Sequence, residues 1–175
     1  MTALTTPEAT LYPAWLEAHR EWGPGLHEDG FGLSTSDDVT ALPGFFSWLR
    51  RLSDDKQCTY WWIIEDDQVL GGIALRHASH PLIPRAGHIG YGIRPSARRR
   101  GLATWAIGQI VERAHMIGMN QVMAVCASTN TASIRTLEHQ GGVLDQTAHE
   151  SAVRRYWIQT RSPHESANQG HCALR

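Results

Sequence analysis

The sequence predicts an α/β (α+β) fold in which helices pack on the faces of a mixed β-sheet. Three observations carry this. Segments of two-residue strand period alternate with segments of 3.6-residue helical period. Glycine and proline punctuate most boundaries between them. The 175 residues are 42% hydrophobic and 19% charged, the balance of a globular protein. A chain of this length buries a core without staples, so residues 1–160 are expected to form one domain, with residues 161–175 as a polar, aperiodic tail.

Pro7 to Trp22 places Leu11, Trp15 and Ala18 near helical spacing, and Gly23-Pro24-Gly25 ends that helix. Ser36 reads as the N-cap of a second helix, with Asp37 and Asp38 in its first turn. Leu42, Phe45, Phe46, Leu49 and Leu52 form its apolar face, which Pro43 and Gly44 shorten or kink. Thr59–Glu65 and Gln68–Arg76 are strand-like and flank an Asp66-Asp67 turn, which predicts a hairpin.

Residues 77–86 read as a loop. Gly87–Arg94 then alternates Ile89, Tyr91 and Ile93 with His88, Gly90 and Gly92, a strand with one face cleared for a close neighbour. After Pro95, the residues Ala103, Ala106, Ile107, Ile110, Val111, Ala114 and Ile117 mark an amphipathic helix that Gly118 caps. Gln121–Ala127 is a short buried strand. Thr129 or Asn130 caps a helix running to Gln140, and Val143–Asp145 and Val153–Thr160 are the last strands.

Composition narrows the function. Lys+Arg 16 against Asp+Glu 17 leaves no general basic field, which disfavours a nucleic-acid partner. No apolar run approaches the ~20 residues of a membrane helix. The start lacks the basic head and apolar stretch of a secretory signal. Three scattered cysteines make no disulfide framework, so a cytoplasmic location is expected. Seven tryptophans and ten histidines are the unusual counts. Most of the tryptophans are assigned to the core, where aromatic burial is largest.

The sharpest chemistry lies at Arg94 to Thr104, where a strand gives way to a helix. The first N–H groups of that helix have no intrahelical acceptor, and its dipole adds positive potential. Gly101 lets an anion approach the backbone, small Ala103 leaves the groove open, and Arg94, Arg98, Arg99 and Arg100 add charged donors. This is a phosphate site. The chain has neither G-x-G-x-x-G nor G-K-[ST], which disfavours the dinucleotide and P-loop versions.

Arg98-Arg99-Arg100-Gly101-Leu102-Ala103 fits the [QR]-x-x-G-x-[GA] signature of the GCN5-related N-acetyltransferases. The residues before it (GHIGYGIRPS), Asn130-x-x-Ser133, Gly141-Gly142-Val143-Leu144 and Arg155-Tyr156-Trp157-Ile158 resemble one bacterial branch of predicted acetyltransferases. The resemblance implies the GNAT fold, a mostly antiparallel sheet with two splayed parallel strands, here His88–Arg94 and Gln121–Ala127. It implies acetyl-CoA between them, its pyrophosphate on the N–H groups of Arg99, Arg100, Gly101, Leu102, Ala103 and Thr104. Ile93 would hold the pantetheine arm, with Asn130 and Ser133 opposite. Residues 1–58 would be the acceptor side and residues 59–160 the cofactor core, and loop 77–86 would border the acceptor pocket.

The implied activity is direct acetyl transfer to the primary amine of a small molecule, an amino-acid derivative or an amine-bearing antibiotic. A protein lysine or N-terminus as acceptor, and an acyl-CoA-sensing module, are the alternatives. The family is frequently dimeric, and open sheet edges are compatible with a homodimer.

Direct transfer needs a base for the amine and a proton donor for the thiolate. His88, close to where many members carry a Glu, is the first candidate base, with an ordinary pKa near ~6.5. Glu65 is the second. The tyrosine that many members carry in the helix after Asn130 is Leu137 here, which makes Tyr156 and Tyr91 the candidate donors. Cys126 lies in an apolar strand without a charged activator and reads as structural. His77-x-x-His80 lacks zinc-site spacing, so no metal is expected. The acidic clusters Glu28-Asp29, Asp37-Asp38 and Glu65-Asp66-Asp67 are solvated turns or attractors of a cationic amine.

Overall fold

The computed structural model describes residues 1–23, 29–147 and 152–160. The Pro24–Gly25 break, Glu28 and the tail at 161–175 lie outside the described residues. The elements are β1 (Ala3–Thr5), α1 (Tyr12–Trp22), α2 (Leu42–Asp54), β2 (Cys58–Glu65), β3 (Gln68–Arg76), α3 (Ile83–Ala86), β4 (Ile89–Ile93), α4 (Leu102–Met116), β5 (Gln121–Ala127), α5 (Thr131–His139), β6 (Val143–Leu144) and β7 (Val153–Gln159). The seven strands form one sheet of order β1-β2-β3-β4-β5-β7-β6. Every neighbouring pair is antiparallel except β4 and β5.

Alternation along β2 divides the core between the two faces. Trp62 joins Leu11, Trp15, Ala18, Phe31, Phe45, Trp48 and Leu52 under α1 and α2. Ile63 joins Ile73, Leu75, Ile89, Ala106, Ile107, Ile110 and Leu137 under α4 and α5. Trp15, Trp48 and Trp62 are fully buried and pack together, with ring centroids 4.6 to 5.8 Å apart: Trp62 stacks on both others, and Trp15 and Trp48 are tilted. Most of the tryptophan excess is thus aromatic burial on the N-terminal face. Trp61 is half-buried on the other face beneath the Arg113 guanidinium.

The structure corrects the sequence reading in three places. The second helix starts at Leu42, not after Ser36, because Pro43 suits a first helical turn, where its missing N–H has no intrahelical role. Asp37 instead accepts from the Ser34 N–H and from Arg51, which folds residues 34–37 into a turn. A three-residue edge strand, β1, pairs with β2 and carries too short a pattern to read. A single helical turn, α3, occupies part of the 77–86 loop.

The residue following β4 fixes α1 to the sheet. Arg94 is buried and donates to Glu21 (2.6 Å) and Glu17 (2.8 Å), while Glu21 also accepts from the Ser96 N–H and hydroxyl. Burial raises the Glu21 pKa, but these hydrogen bonds outweigh it and hold the carboxyl below its ordinary value of 4.5. A carboxylate with a depressed folded pKa stabilises above its unfolded pKa and is lost as pH falls through the folded value. Thermal unfolding followed from pH 6 to pH 3 should show Glu21→Gln less stable at pH 6 by about 1–3 kcal/mol. The two proteins should converge below pH 4.5.

Candidate active site

β4 and β5 run parallel and pair at one position, Ile89 with Ala124. Beyond it they part. β4 continues on β3, and β5 continues on β7. The gap between them widens into a cleft of about 830 Å³. Tyr91, Gly92 and Ile93 form one wall and Asn130, Ser133 and Thr136 the other. Arg98, Arg99, Gly101, Leu102, Ala103 and Thr104 lie at its mouth, with Trp22 at the end of α1.

The mouth is built for an anion. Pro95–Ala97 forms a 3₁₀ turn, after which Arg99 and Gly101 take positive φ values of 62° and 77°. Left-handed residues in such a turn bring neighbouring N–H groups toward one side, as in an anion-binding nest. α4 starts at once, and Gly101 at its N-cap provides no side-chain acceptor, so the first-turn donors stay open. A Cβ at Gly101 would meet nothing within 4 Å, so this is open space rather than packed backbone.

The arginines divide between shape and charge. Arg98 Nε donates to the Ile93 carbonyl at 3.0 Å. Arg100 pairs with Glu65 at 2.5 Å and does not line the cleft. Arg94 is held by α1 and does not line it either. Both side chains are engaged by the protein and fix the loop. Arg99 makes no ion pair among the described residues. On the far wall, the Asn130 Oδ1 accepts from the Ser133 N–H at 3.1 Å and caps α5. That leaves the Asn130 amide N–H₂ as a donor.

The candidate bases and acids are redistributed as well. His88 is buried at the closed end of the β4–β5 gap, outside the cleft lining. Its N–H donates to the Met123 carbonyl, and its Nδ1 accepts from the Met123 N–H at 2.9 Å. With Nδ1 an acceptor, the proton is on Nε2, and the ring clips β5 to β4 instead of serving as a base. Burial, then the charge of Arg76, lowers its pKa below the ordinary 6.5.

Glu65 accepts from Arg100 and Thr2, bonds that lower its pKa. Tyr156 is buried in the core with its hydroxyl on Glu138 at 3.1 Å, away from the cleft. Leu137 is core. Cys126 packs half-buried against the same cluster, and burial raises its thiol pKa. The His77 ring is taken by Thr59 and the Lys56 carbonyl.

Tyr91 is what the sequence undervalued. It lines the cleft, its buried hydroxyl lacks a hydrogen-bond partner, and burial pushes its pKa up to about 12. It therefore stays protonated at neutral pH. The available signal was its place between Gly90 and Gly92, where nothing else on the strand could supply a functional side chain.

The Acetyltransferase (GNAT) domain family matches residues 10–143. The chain belongs to the GNAT acetyltransferase family. No curated protein matches the sequence significantly. Among solved structures, Mycobacterium smegmatis RimJ in complex with CoA-disulfide superposes with a TM-score of 0.69 at 18% identity, over 90% of this chain and 81% of that one. RimL, a ribosomal L7/L12 alpha-N-protein acetyltransferase in complex with coenzyme A, gives 0.67 at 16% identity, over 90% and 93%. Mutant forms of the spermidine/spermine N-acetyltransferase SpeG from Vibrio cholerae give 0.63 at 12% identity, over 98% and 100%. At these identities the likeness is one of fold, and the GNAT sheet with its parting parallel pair is what they share with this chain. No helix among the described residues is long and apolar enough to cross a membrane.

The His88 clip is directly testable. A histidine with a depressed folded pKa stabilises above its unfolded pKa and is lost as pH falls. His88→Gln should cost about 1–3 kcal/mol at pH 7.5, the price of an orphaned buried N–H. Thermal midpoints of mutant and wild type should approach each other as pH drops below 6.5. A base role would instead leave stability unchanged.

Proposed function

We propose that this GNAT protein is an acetyl-CoA-dependent N-acetyltransferase acting on the primary amine of a small molecule. The observation that carries the reading is the open nest at Arg98–Gly101, feeding the cleft between two parting strands. Its vacant Cβ position and uncapped first-turn donors fit a diphosphate. RimJ and RimL carry CoA species in the structures similar to this one. Acetyl-CoA would supply an acetyl group activated as a thioester. Arg99 and the N–H groups from Arg100 to Thr104 would hold its phosphates. The Asn130 amide and the Ser133 hydroxyl would orient its amide-rich arm. Tyr91, buried and protonated, would donate a proton to the departing thiolate, the role first given to Tyr156.

The acceptor reading rests on a second cavity, of about 540 Å³, lined by Asp29, Ser34, Asp55, Tyr60, Arg76 and His80 among others. Two of its lining residues, Asp29 and Arg76, come close to β4 where that strand has no side chain. A Cβ at Gly90 would stand 2.7 Å from Asp29 Oδ1 and 3.1 Å from an Arg76 nitrogen. Asp55 is already bonded to the Gln57 and Cys58 N–H groups and to the Tyr60 hydroxyl. The His80 Nδ1 accepts from the Leu82 N–H, so its ring is no free base. Among the described residues Asp29 uses only Oδ1, toward Gly30 and Arg76, which leaves Oδ2 for an ammonium group. The protein N-terminus is the second reading, favoured by the similarity to RimL.

Acetyl-CoA at a hundred times its Kd should stabilise the protein by about 2.7 kcal/mol, visible as a rise in Tm. Gly101→Glu, which places a carboxylate in the nest, should abolish that rise, and a retained rise overturns the cleft assignment. Asp29→Asn should leave the rise intact and increase the acceptor KM roughly tenfold or more. Thiol release during a screen of small amines and of N-terminal peptides decides between the two acceptor readings.

A further inference from the structure

The cavity assigned to the acceptor holds charges of both signs: Asp29 and Asp55 line it together with Arg51 and Arg76. The two guanidinium groups are not equally satisfied. Arg51 is half-exposed, and its Nη2 is taken by Asp37 and by the Gly32 carbonyl. The Arg76 side chain is only 11% exposed. Its Nη1 donates to the Ala86 and Gly87 carbonyls at 3.4 and 3.2 Å. Its one carboxylate partner among the described residues is Asp29, whose Oδ1 lies 3.4 Å from Nη2. Asp29 is itself 60% exposed, so water shares it. A guanidinium taken out of water needs a close, well-oriented anion to offset the lost hydration. Here that place is loosely filled, on a residue that lines the cavity.

We infer that the acceptor is a free α-amino acid, with its ammonium group on Asp29 and its carboxylate on Arg76, which makes Arg76 the specificity-determining residue. The inference rests on the N-acetyltransferase reading above and narrows its acceptor. In an α-amino acid the nitrogen and the carboxylate carbon lie ~2.5 Å apart across one Cα. The two protein charges that bind them must therefore be neighbours, as Asp29 and Arg76 are. The planar fork of an arginine matches a carboxylate through paired donors. A zwitterion adds no net charge to the cavity, whereas a polyamine would bring two or more positive charges beside Arg51 and Arg76. A peptide N-terminus would place an amide where Arg76 calls for an anion. Leu33 and Leu82 line the same cavity and offer an apolar surface to the amino-acid side chain. Asp29 and Arg76 both approach the vacant Cβ position of Gly90, so the amine is held beside the strand that carries Tyr91. The ammonium group loses one proton to solvent, and its nitrogen bonds the acetyl carbon as the C–S bond breaks. The thiolate takes a proton from Tyr91, which the second nitrogen proton restores.

The test compares substrates on the wild-type protein. Thiol release from acetyl-CoA is followed with the common amino acids, each paired with its amide and its decarboxylated amine, and with spermidine and 6-aminohexanoate. The amide is less basic than the amino acid and the decarboxylated amine more so, which separates a preference for the carboxylate from one for basicity. The preferred amino acid should exceed both partners in kcat/KM roughly tenfold or more, as a hydrogen bond to a charged group predicts. 6-Aminohexanoate, with its charges far apart, should not share the advantage. Arg76→Gln should bring the ratio of amino acid to amide close to one, and Arg76→Lys, which keeps the charge and loses the fork, should retain part of it. Melting curves with and without acetyl-CoA check that each variant folds and holds the donor. Equal wild-type kcat/KM for amino acid, amide and amine, a preference for spermidine, or a folded Arg76→Gln that keeps the ratio overturns this inference and leaves the acetyltransferase reading standing. Absence of thiol release with every small amine overturns the small-molecule reading and this one with it.

Discussion

Everything in this molecule that bears on chemistry follows from one break in pairing, the separation of β4 from β5 beyond Ile89 and Ala124. A parallel pair that kept its register would close the sheet and leave no room between the strands. Separation exposes ladder groups that must find partners. Two devices limit the break. His88 closes it at one end by bonding both polar groups of Met123. Arg98 reaches back at the other end to the Ile93 carbonyl. The stretch between them is the cleft.

The basic loop shows how positive charge is used twice. Arg94, Arg98 and Arg100 are committed to the protein, through α1, β4 and the end of β2 respectively. Each contact anchors the loop from a different direction, so the positive-φ backbone of Arg99 and Gly101 is held before any ligand arrives. Preorganised N–H groups need no reordering on binding, which is where backbone donors gain over mobile side chains. Arg99 is left without an ion pair among the described residues. A count of arginines in the sequence overstates the free charge of this loop, and its rigidity comes from those that are not free.

The sheet, the hairpin and α4 were legible in the sequence because each rests on local pattern, such as alternating Ile89, Tyr91 and Ile93 and the apolar stripe from Ala103 to Ala114. The GNAT resemblance rests on equally local motifs. What was not legible depends on partners distant in the chain. Arg94 reads as a phosphate ligand until Glu17 and Glu21 stand beside it. His88 reads as a base until Met123, thirty-five positions on, occupies its Nδ1. Tyr156 and Tyr91 are alike as strand tyrosines, and only the packing decides that one hydroxyl meets Glu138 while the other is left unpaired in the cleft. Charge and type are local properties, and availability is a tertiary one.

The glycines of β4 and β3 connect the two halves. The α1–α2 loop lies so close to the sheet that a Cβ on Gly30 would meet the Gly72 and Gly90 carbonyls at 2.6 and 2.8 Å, and one on Gly72 would strike the Phe31 ring at 2.8 Å. Side chains at these positions would lift the loop, and Asp29 with it, away from β4. On the opposite face the same strand presents Tyr91 to the cleft. Strand alternation therefore puts a carboxylate-bearing loop on one side of a single strand and a protonated phenol on the other, with only backbone between them at Gly90. A transfer reaction needs its acceptor and its leaving group to meet from different directions without competing for one cavity. In the proposed reaction, a strand cleared on one face and carrying Tyr91 on the other would achieve this, and it would tie the closeness of the α1–α2 loop to the chemistry rather than to stability alone.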